Sequence, residues 1–383
     1  MIRFLHTSDW QLGAGFGQVP GDQGARLRRQ RIETIATIAE IAEKQKVDFV
    51  LLAGDLFDDH SVSKEVIAHS CQAMARITCP VYIIPGNHDY AGSEHSVYRG
   101  KKWLESKPPH VHVYETTDPV MIADGQVVLY PCPLRQRRVL IDPTYHLPET
   151  LVDPAICVVG PIRIALAHGS VIGFGSEDEG TSPNLINRDV VLKANLDYLA
   201  LGDWHGTLQV GEKVWYSGTP ETDRFKENDS GNVLLVAIEK HGATPVVEKV
   251  RTSGLKWLFH SVSLRTPEDV TALGLWFSGL DKPDRTLIKL KVNGVLNLFE
   301  SKRTNECVER MRDTLVHLRD TVELFLEPTL EELQSIADGG FMKVAVDKLC
   351  EKMAGGGTDG ETARMALNLL YHYNEESSVK VVK

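Results

Sequence analysis

The sequence predicts a layered α/β fold, followed by a smaller α/β module and a helical segment. Three observations lead there. Wholly apolar, strand-like runs alternate with segments of helical period in the first part of the chain. Several of those runs stop abruptly in polar residues, as strands do at the working edge of an α/β core. Near Ser253-Gly254 the alternation restarts on a shorter scale. A chain of 383 residues is also too long for one ordinary domain.

Each element follows in order. "MIRFLHT" is strand-like, and residues 24 to 46 carry Ile32, Ile35, Ile38, Ala39 and Ala42 at helical spacing. "DFVLLAGD" is a short buried strand; a helix over Val62 to Ile77 leads into the next one, "PVYIIPGNHD". From about Val111 shorter strands appear, such as "QVVLYPCPL" and "RIALAHGS". Between Leu196 and Val250 the pattern is strands and hairpins, with "VGEKVW" and "EKHGATP" as turns. The stretch "GFGSEDEGTSPN" (Gly173 to Asn184) reads as a mobile surface loop.

The second module reads β-α-β-α-β: strand "WLFHSVSL", a helix near Pro267 to Phe277, strand "TLIKLKVNG", a helix around Asn305 to Leu318, and strand "TVELFLE". A helix over Phe341 to Met353, a linker "AGGGTDG" and an apolar helix "ARMALNLLYHY" complete the chain. The expected organisation is therefore a main domain over 1–252, a small α/β domain over 253–328 and a helical segment over 329–383.

The formal net charge of -10 denies the protein a sequence-wide basic field for nucleic acid, leaving that work to local patches or a partner. The basic cluster "LRQRR" (Leu134 to Arg138) is either such a patch or a solvated helix face. Six scattered cysteines without a C-x-x-C pair argue against a zinc finger or a disulfide framework and fit a reducing interior. The start shows no signal peptide, and no apolar run reaches the roughly 20 residues of a membrane span, so a cytoplasmic, membrane-free protein is expected.

Chemistry concentrates at five strand endings: "HTSDWQ", "LLAGDLFD", "IIPGNHD", "ALAHGS" and "LALGDWHG". Strand ends that share an edge bring Asp9, Gln11, Asp55, Asn87, His88, His168, Asp203 and His205 within reach of one cleft. Gly54 and Gly86 permit the sharp bends that turn the following side chains outward. A carboxylate such as Asp55 can bridge two cations, which stand about 3.5–4 Å apart in two-metal hydrolases. Asp203 is otherwise a turn or cap residue, and Gln11 either a ligand or a hydrogen-bonder to one. His6, His60 and His95 read as supporting or surface residues.

These endings resemble the calcineurin-like metallophosphoesterases, whose pattern runs D-x-H, G-D-x-x-(D/H), G-N-H-(D/E), an isolated His and G-H-x-H. With "YSGTPE" after the last motif, they look most like the nuclease subunits of SbcCD-type double-strand-break repair exonucleases. The resemblance implies a two-sheet sandwich flanked by helices, a DNA-capping domain, and two divalent ions, Mn²⁺ before Mg²⁺. It implies Asp55 as the bridge, with Asp9, Gln11 and His205 at one ion and Asn87, His168 and Asp203 at the other. It makes His88 the general acid or phosphate-orienting residue and Asp58 its helper. It also implies DNA as substrate, a coiled-coil ABC-type ATPase as partner and a homodimer.

Two positions depart from the pattern: Gln11 replaces a His, and Asp203 replaces the first His of G-H-x-H. Neutral amide oxygen and an added carboxylate shift the set toward hard cations, Mn²⁺ or Mg²⁺ over zinc. The alternatives to a nuclease are a phosphatase or small-molecule phosphodiesterase on the same scaffold, and a non-catalytic scaffold subunit with a degenerate site. The C-terminal helices either fold back on the small domain or grip the ATPase.

Overall fold

Chain segments with too little polar surface to face water bury both faces, and here they form the central strands of two stacked sheets. The computed structural model describes residues 1–19, 21–147, 160–172, 183–328, 333 and 340–381. It divides into two units, Met1–Trp257 and Leu258–Lys383.

The first unit contains β1 (Ile2–Thr7), α1 (Gly21–Gln45), β2 (Phe49–Ala53), α2 (Lys64–Met74), β3 (Val81–Ile84), α3 (Lys101–Ser106) and β4 (Val111–Val113). It continues through β5 (Val120–Ile122), β6 (Val127–Cys132), β7 (Ile162–His168), β8 (Ser170–Val171), β9 (Leu185–Ile186), α4 (Val190–Lys193) and β10 (Tyr198–Gly202). The strands β11 (Leu208–Gly211), β12 (Val214–Tyr216), β13 (Asn232–Ile238) and β14 (Val246–Arg251) follow.

One six-stranded sheet runs β14-β13-β1-β2-β3-β4 and the other β11-β12-β10-β7-β6-β5. In the first, β1, β2, β3 and β4 are mutually parallel. In the second, β6, β7, β10 and β12 are. Antiparallel β13, β14, β11 and β5 occupy the flanks.

Between the sheets lies an apolar layer that includes Phe4, Phe49, Leu51, Leu129, Ile164, Tyr198 and Val236. The other face of the first sheet packs Leu5, Val50, Leu52 and Ile83 against Ile35, Ile38 and Ala42 of α1 and Ile67, Cys71 and Met74 of α2. The other face of the second covers Ala165, Ala167, Leu199 and Leu201 with Val190, Val191 and Leu196. The result is the layered α/β sandwich that the sequence predicts. Because the parallel strands of each sheet end on one side, β1, β2, β3, β7 and β10 deliver their C-terminal tips to one edge.

The second unit is built on a three-stranded sheet, β15-β16-β17, made of β15 (Lys256–Leu264), β16 (Thr286–Leu296) and β17 (His317–Leu326). Helices α5 (Pro267–Ser278) and α6 (Leu298–Arg312) connect them. Thr266 and Asp269 form a capping box at the start of α5. Helices α7 (Gly340–Ala354) and α8 (Gly357–Val381) pack through Val346 and Leu367, with Leu333 in the same cluster. The order is the expected β-α-β-α-β with a helical end.

Four details differ from the sequence reading. Helix α6 begins at Leu298, before the expected Asn305, because the Asn297 side chain caps it by accepting from Glu300 N. Its expected end, Val316 to Leu318, instead leads into β17, where Leu318 pairs with Ile288. The expected linker shrinks because α8 starts at Gly357, with the left-handed Gly356 and Gly357 making the turn. The cluster Arg135 to Arg138 is exposed but bent, not helical. Residues 173–182 of the expected surface loop lie outside the described residues. Its end, Asn184, is 5% exposed and its side chain binds Val139 N and Arg137 O. Cys71, Cys79, Cys132, Cys307 and Cys350 are free thiols, and no helix is long and apolar enough to cross a membrane among the described residues.

Leu51 sits in the inter-sheet layer with none of its surface exposed. Leu51→Ala removes its contacts from a layer that cannot collapse without moving both sheets. Stability is expected to fall by about 3 kcal/mol, read as a lower urea midpoint with the far-ultraviolet dichroism retained.

Candidate metal centre

The residues from the five strand tips do meet. Asp9 follows β1, Asp55 follows β2, Asn87 and His88 follow β3, His168 ends β7, and Asp203 and His205 follow β10. Ligand atoms of Asp9, Asp55 and His168 all lie within 4.8 Å of one another, and all three residues are buried. Around this trio, His168 Nε2 is 2.7 Å from Asn87 Oδ1, 3.6 Å from Asp55 Oδ1 and 3.8 Å from Asp203 Oδ1. On the other side, Gln11 Nε2 lies 3.5 Å from Asp55 Oδ2 and 3.2 Å from His205 Nε2. Asp55 therefore faces both groups.

The backbone bends that place these side chains lie in left-handed space. Asp9, Gln11, Asp55 and Asp203 have φ of 53°, 41°, 56° and 98°. Such conformations are uncommon for residues with a Cβ and persist where the surroundings over-determine them. Asp9 is fixed by Ser8 Oγ at 2.6 Å and by the Asp203 backbone N–H at 3.2 Å, which ties the β1 tip to the β10 tip. Gly202 is needed for packing between the tips. A Cβ there would collide with Ala53 O and stand 2.8 Å from His168 Nδ1.

The histidines are held in defined orientations. His168 Nδ1 donates to the Ala53 carbonyl at 2.8 Å, which leaves Nε2 to face the carboxylates. Burial opposes charging of this ring, but Asp55, Asp9 and Asp203 outweigh it and push its pKa up to about 9. Burial, conversely, pushes Asp9 and Asp55 above the usual carboxylate range. The cluster thus draws positive charge, and without a cation it draws a proton onto His168. His88 Nδ1 donates to the Asp58 carbonyl at 2.6 Å, so Nε2 points the other way, 4.0 Å from Asp55 Oδ2. The Asp58 carboxylate is 3.9 Å from that ring, so its backbone oxygen makes the close contact.

Several residues with no part in the sequence reading hold the site together. Asp223 Oδ2 lies 2.7 Å from His205 Nδ1 and 3.2 Å from Arg31 Nη2 of α1. Burial would raise Asp223, but hydrogen bonds from His205 and Arg224 outweigh it and hold its carboxyl well below the usual range. Arg224 Nη2 is also 2.7 Å from His205 Nδ1. A ring nitrogen can serve only one of the two contacts. A lone pair on Nε2 puts the proton on Nδ1, and Asp223 accepts it. Asp89, fully buried, accepts from Gly86 N, Phe57 N and Tyr98 Oη, and so joins the loops after β2 and β3. The only hint of these was chemical type in "GNHD" and "PETDR", since neither motif announces a spatial partner. His6 is an inter-sheet residue bonded to Tyr198 Oη and Leu201 O, and His95 is exposed.

The donor set fits divalent cations. It gathers carboxylates of Asp9, Asp55 and Asp203, amides of Gln11 and Asn87, and imidazoles of His168 and His205 around a buried point that attracts positive charge. Gln11 can contribute only through Oε1, which a half-turn of the amide brings to the place Nε2 occupies. This oxygen-rich set suits hard cations.

Asp223→Asn removes the negative charge behind His205 and leaves the 4%-exposed Arg31 without its anion. Affinity for Mn²⁺, measured by calorimetry on the metal-stripped protein, is expected to fall about 10–100-fold. The chain is also expected to unfold at lower denaturant.

Comparison with known proteins bears on the family. The chain is 25% identical over 287 residues to YhaO, an uncharacterised metallophosphoesterase of Bacillus subtilis (strain 168). That alignment covers 71% of this chain and 65% of YhaO, so the chain spans less than two thirds of its relative's length. A solved structure, TT1561 of Thermus thermophilus, matches at 12% identity with a TM-score of 0.40, covering 66% of this chain and 99% of that one. The model of the calcineurin-like phosphoesterases matches residues 2–237, a span that contains every strand tip of the metal centre, and the chain belongs to that family.

Proposed function

We propose that the chain is a two-metal phosphodiesterase that cuts DNA, an exonuclease or endonuclease of the repair or defence type, with Mn²⁺ as working ion and Mg²⁺ as substitute. The observation that carries the reading is the buried trio Asp9, Asp55 and His168, with Asn87 and Asp203 on one side and Gln11 and His205 on the other. Asp55 would bridge the ions; Asp9, Gln11 and His205 would hold one, and Asn87, His168 and Asp203 the other. When bound, the ions supply Lewis-acid stabilisation of the charge that develops on phosphate oxygens and lower the pKa of water.

The chain's own groups do the rest. The Asp58 carbonyl orients His88 so that Nε2, 27% exposed as a side chain, faces the Asp55 side of the cleft. From there a protonated ring can hydrogen-bond the phosphate and give its proton to the leaving oxygen. Burial of Asp9 and Asp55 keeps bulk water from their carboxylates and strengthens the interactions these make.

DNA as substrate rests on the likeness of the motifs to repair nucleases and on the small α/β unit that follows the main one. A coiled-coil ABC-type ATPase is the partner that goes with this reading. The exposed Phe341, Leu369 and Tyr373 of α7 and α8 offer it an apolar surface. A homodimer is the corresponding assembly. The net charge of -10 favours instead a small phosphodiester substrate, and the rates on the two substrate classes decide between them.

The purified protein with Mn²⁺ is expected to degrade linear DNA faster than a chromogenic phosphodiester. Asp55→Ala should abolish cleavage, and His88→Ala should lower kcat about 10²–10⁴-fold. Equal cleavage by wild type and Asp55→Ala in gel assays would remove the nuclease reading. Cleavage of the small diester alone would favour the second one.

A further inference from the structure

The mouth of the metal centre carries a side chain that ligation does not use. Trp204 stands between Asp203 and His205 in sequence and is 37% exposed, whereas Trp10, Trp103 and Trp257 are buried. A single exposed aromatic is ordinary, but this one has two further features. Lys226 Nζ sits 5.2 Å from the centre of its ring, and its indole edge lies against Gly206, where a Cβ would come 2.9 Å from Nε1. Lys226 thus lies over the ring and Gly206 beside its Nε1 edge, while part of the ring stays open to solvent.

The segment that supplies Lys226 alternates. Arg224 and Lys226 are exposed, with Arg224 beside His205 and Lys226 beside Trp204, while Phe225 packs its ring 4.8 Å from that of Trp257. An acidic protein therefore presents two cations and a flat aromatic at the entrance to its metal centre. Phosphates would meet Arg224 and Lys226, and the indole offers a face to a base. That combination recognises single-stranded nucleic acid, where each base has a free π-face.

We infer that Trp204 is a base-stacking platform, with Arg224 and Lys226 as its phosphate contacts, that takes an unpaired DNA base next to the bond being cut. The inference rests on the phosphodiesterase reading of the same centre and names the form of DNA that enters it. A paired base has both faces covered by its neighbours, so single-stranded or frayed ends are the preferred substrates.

The test uses the full chain with Mn²⁺ and two labelled oligonucleotides of equal length, oligo-dT and a fully abasic strand. Binding of each to metal-stripped protein is measured by fluorescence anisotropy, and kcat/KM is measured for each with metal. Trp204→Ala and Trp204→Leu are expected to cut the preference for oligo-dT over the abasic strand about tenfold or more in both readouts. Trp204→Phe, which keeps a π-face, should retain most of it, with Mn²⁺ content equal to wild type in all three. An unchanged preference in Trp204→Ala, or equal loss on both strands, overturns the stacking platform and leaves the nuclease reading standing if Asp55→Ala is inactive. If wild type cuts neither strand, both readings fall.

Discussion

Everything at the working edge of this protein answers to one electrostatic constraint: carboxylates held out of water around a shared point. Asp9 and Asp55 are almost wholly buried, and burial disfavours their ionised forms. Burial lowers the pKa of His168, and their field, with that of Asp203, raises it by more. Such a group calls for a neutralising cation or proton, and the left-handed backbone at four of its members adds to the cost. The scaffold bears that cost because the tips are tied together. Asp203 N binds Asp9, His168 binds the Ala53 carbonyl across the two sheets, and Asp89 joins the next two loops. Removing charge complementarity from the centre therefore strains both sheets at once.

What the sequence reveals of this arrangement depends on whether the cause is local. The strands over Phe49–Ala53 and Val81–Ile84 are legible because wholly buried strands leave an uninterrupted apolar run, and Ile162–His168 because Arg163 alone breaks its run before the terminal His168. Their tips are legible because a polar residue after such a run has nowhere to go but the edge of the sheet. Asp223 and Arg31 are illegible for the opposite reason. They meet across 192 residues of chain, and an Asp after "PET" carries no sign of a histidine behind which it will sit. Helix α6 and the start of α8 are misplaced by local competition. Asn297 captures an N-terminus earlier than apolar periodicity suggests, and three adjacent glycines can either extend a linker or turn sharply within two residues.

The substitutions at Gln11 and Asp203 look like losses when each is read alone, and the geometry relates them. Gln11 lies beside His205 and Asp55, while Asp203 lies beside His168 and accepts from Ser170 Oγ at 2.7 Å. One side of the centre thus trades an imidazole for a neutral amide, and the other trades one for a carboxylate. The net change is one added negative charge and two fewer nitrogen donors, which increases the attraction for a hard divalent ion on the Asp203 side.

The acidic charge of the whole chain bears on substrate choice less than its total suggests. At physiological ionic strength fields decay over about 8 Å, so a phosphate approaching the cleft responds to the side chains at its mouth. Those include Arg224, bonded to Asp223, and Lys226, over an indole, as well as the partly exposed carboxylates of Asp58 and Asp203. The rest of the negative charge in the cleft lies deeper, on buried carboxylates that bound cations would more than offset. The charge of the whole chain therefore does not by itself exclude an anionic ligand from this edge.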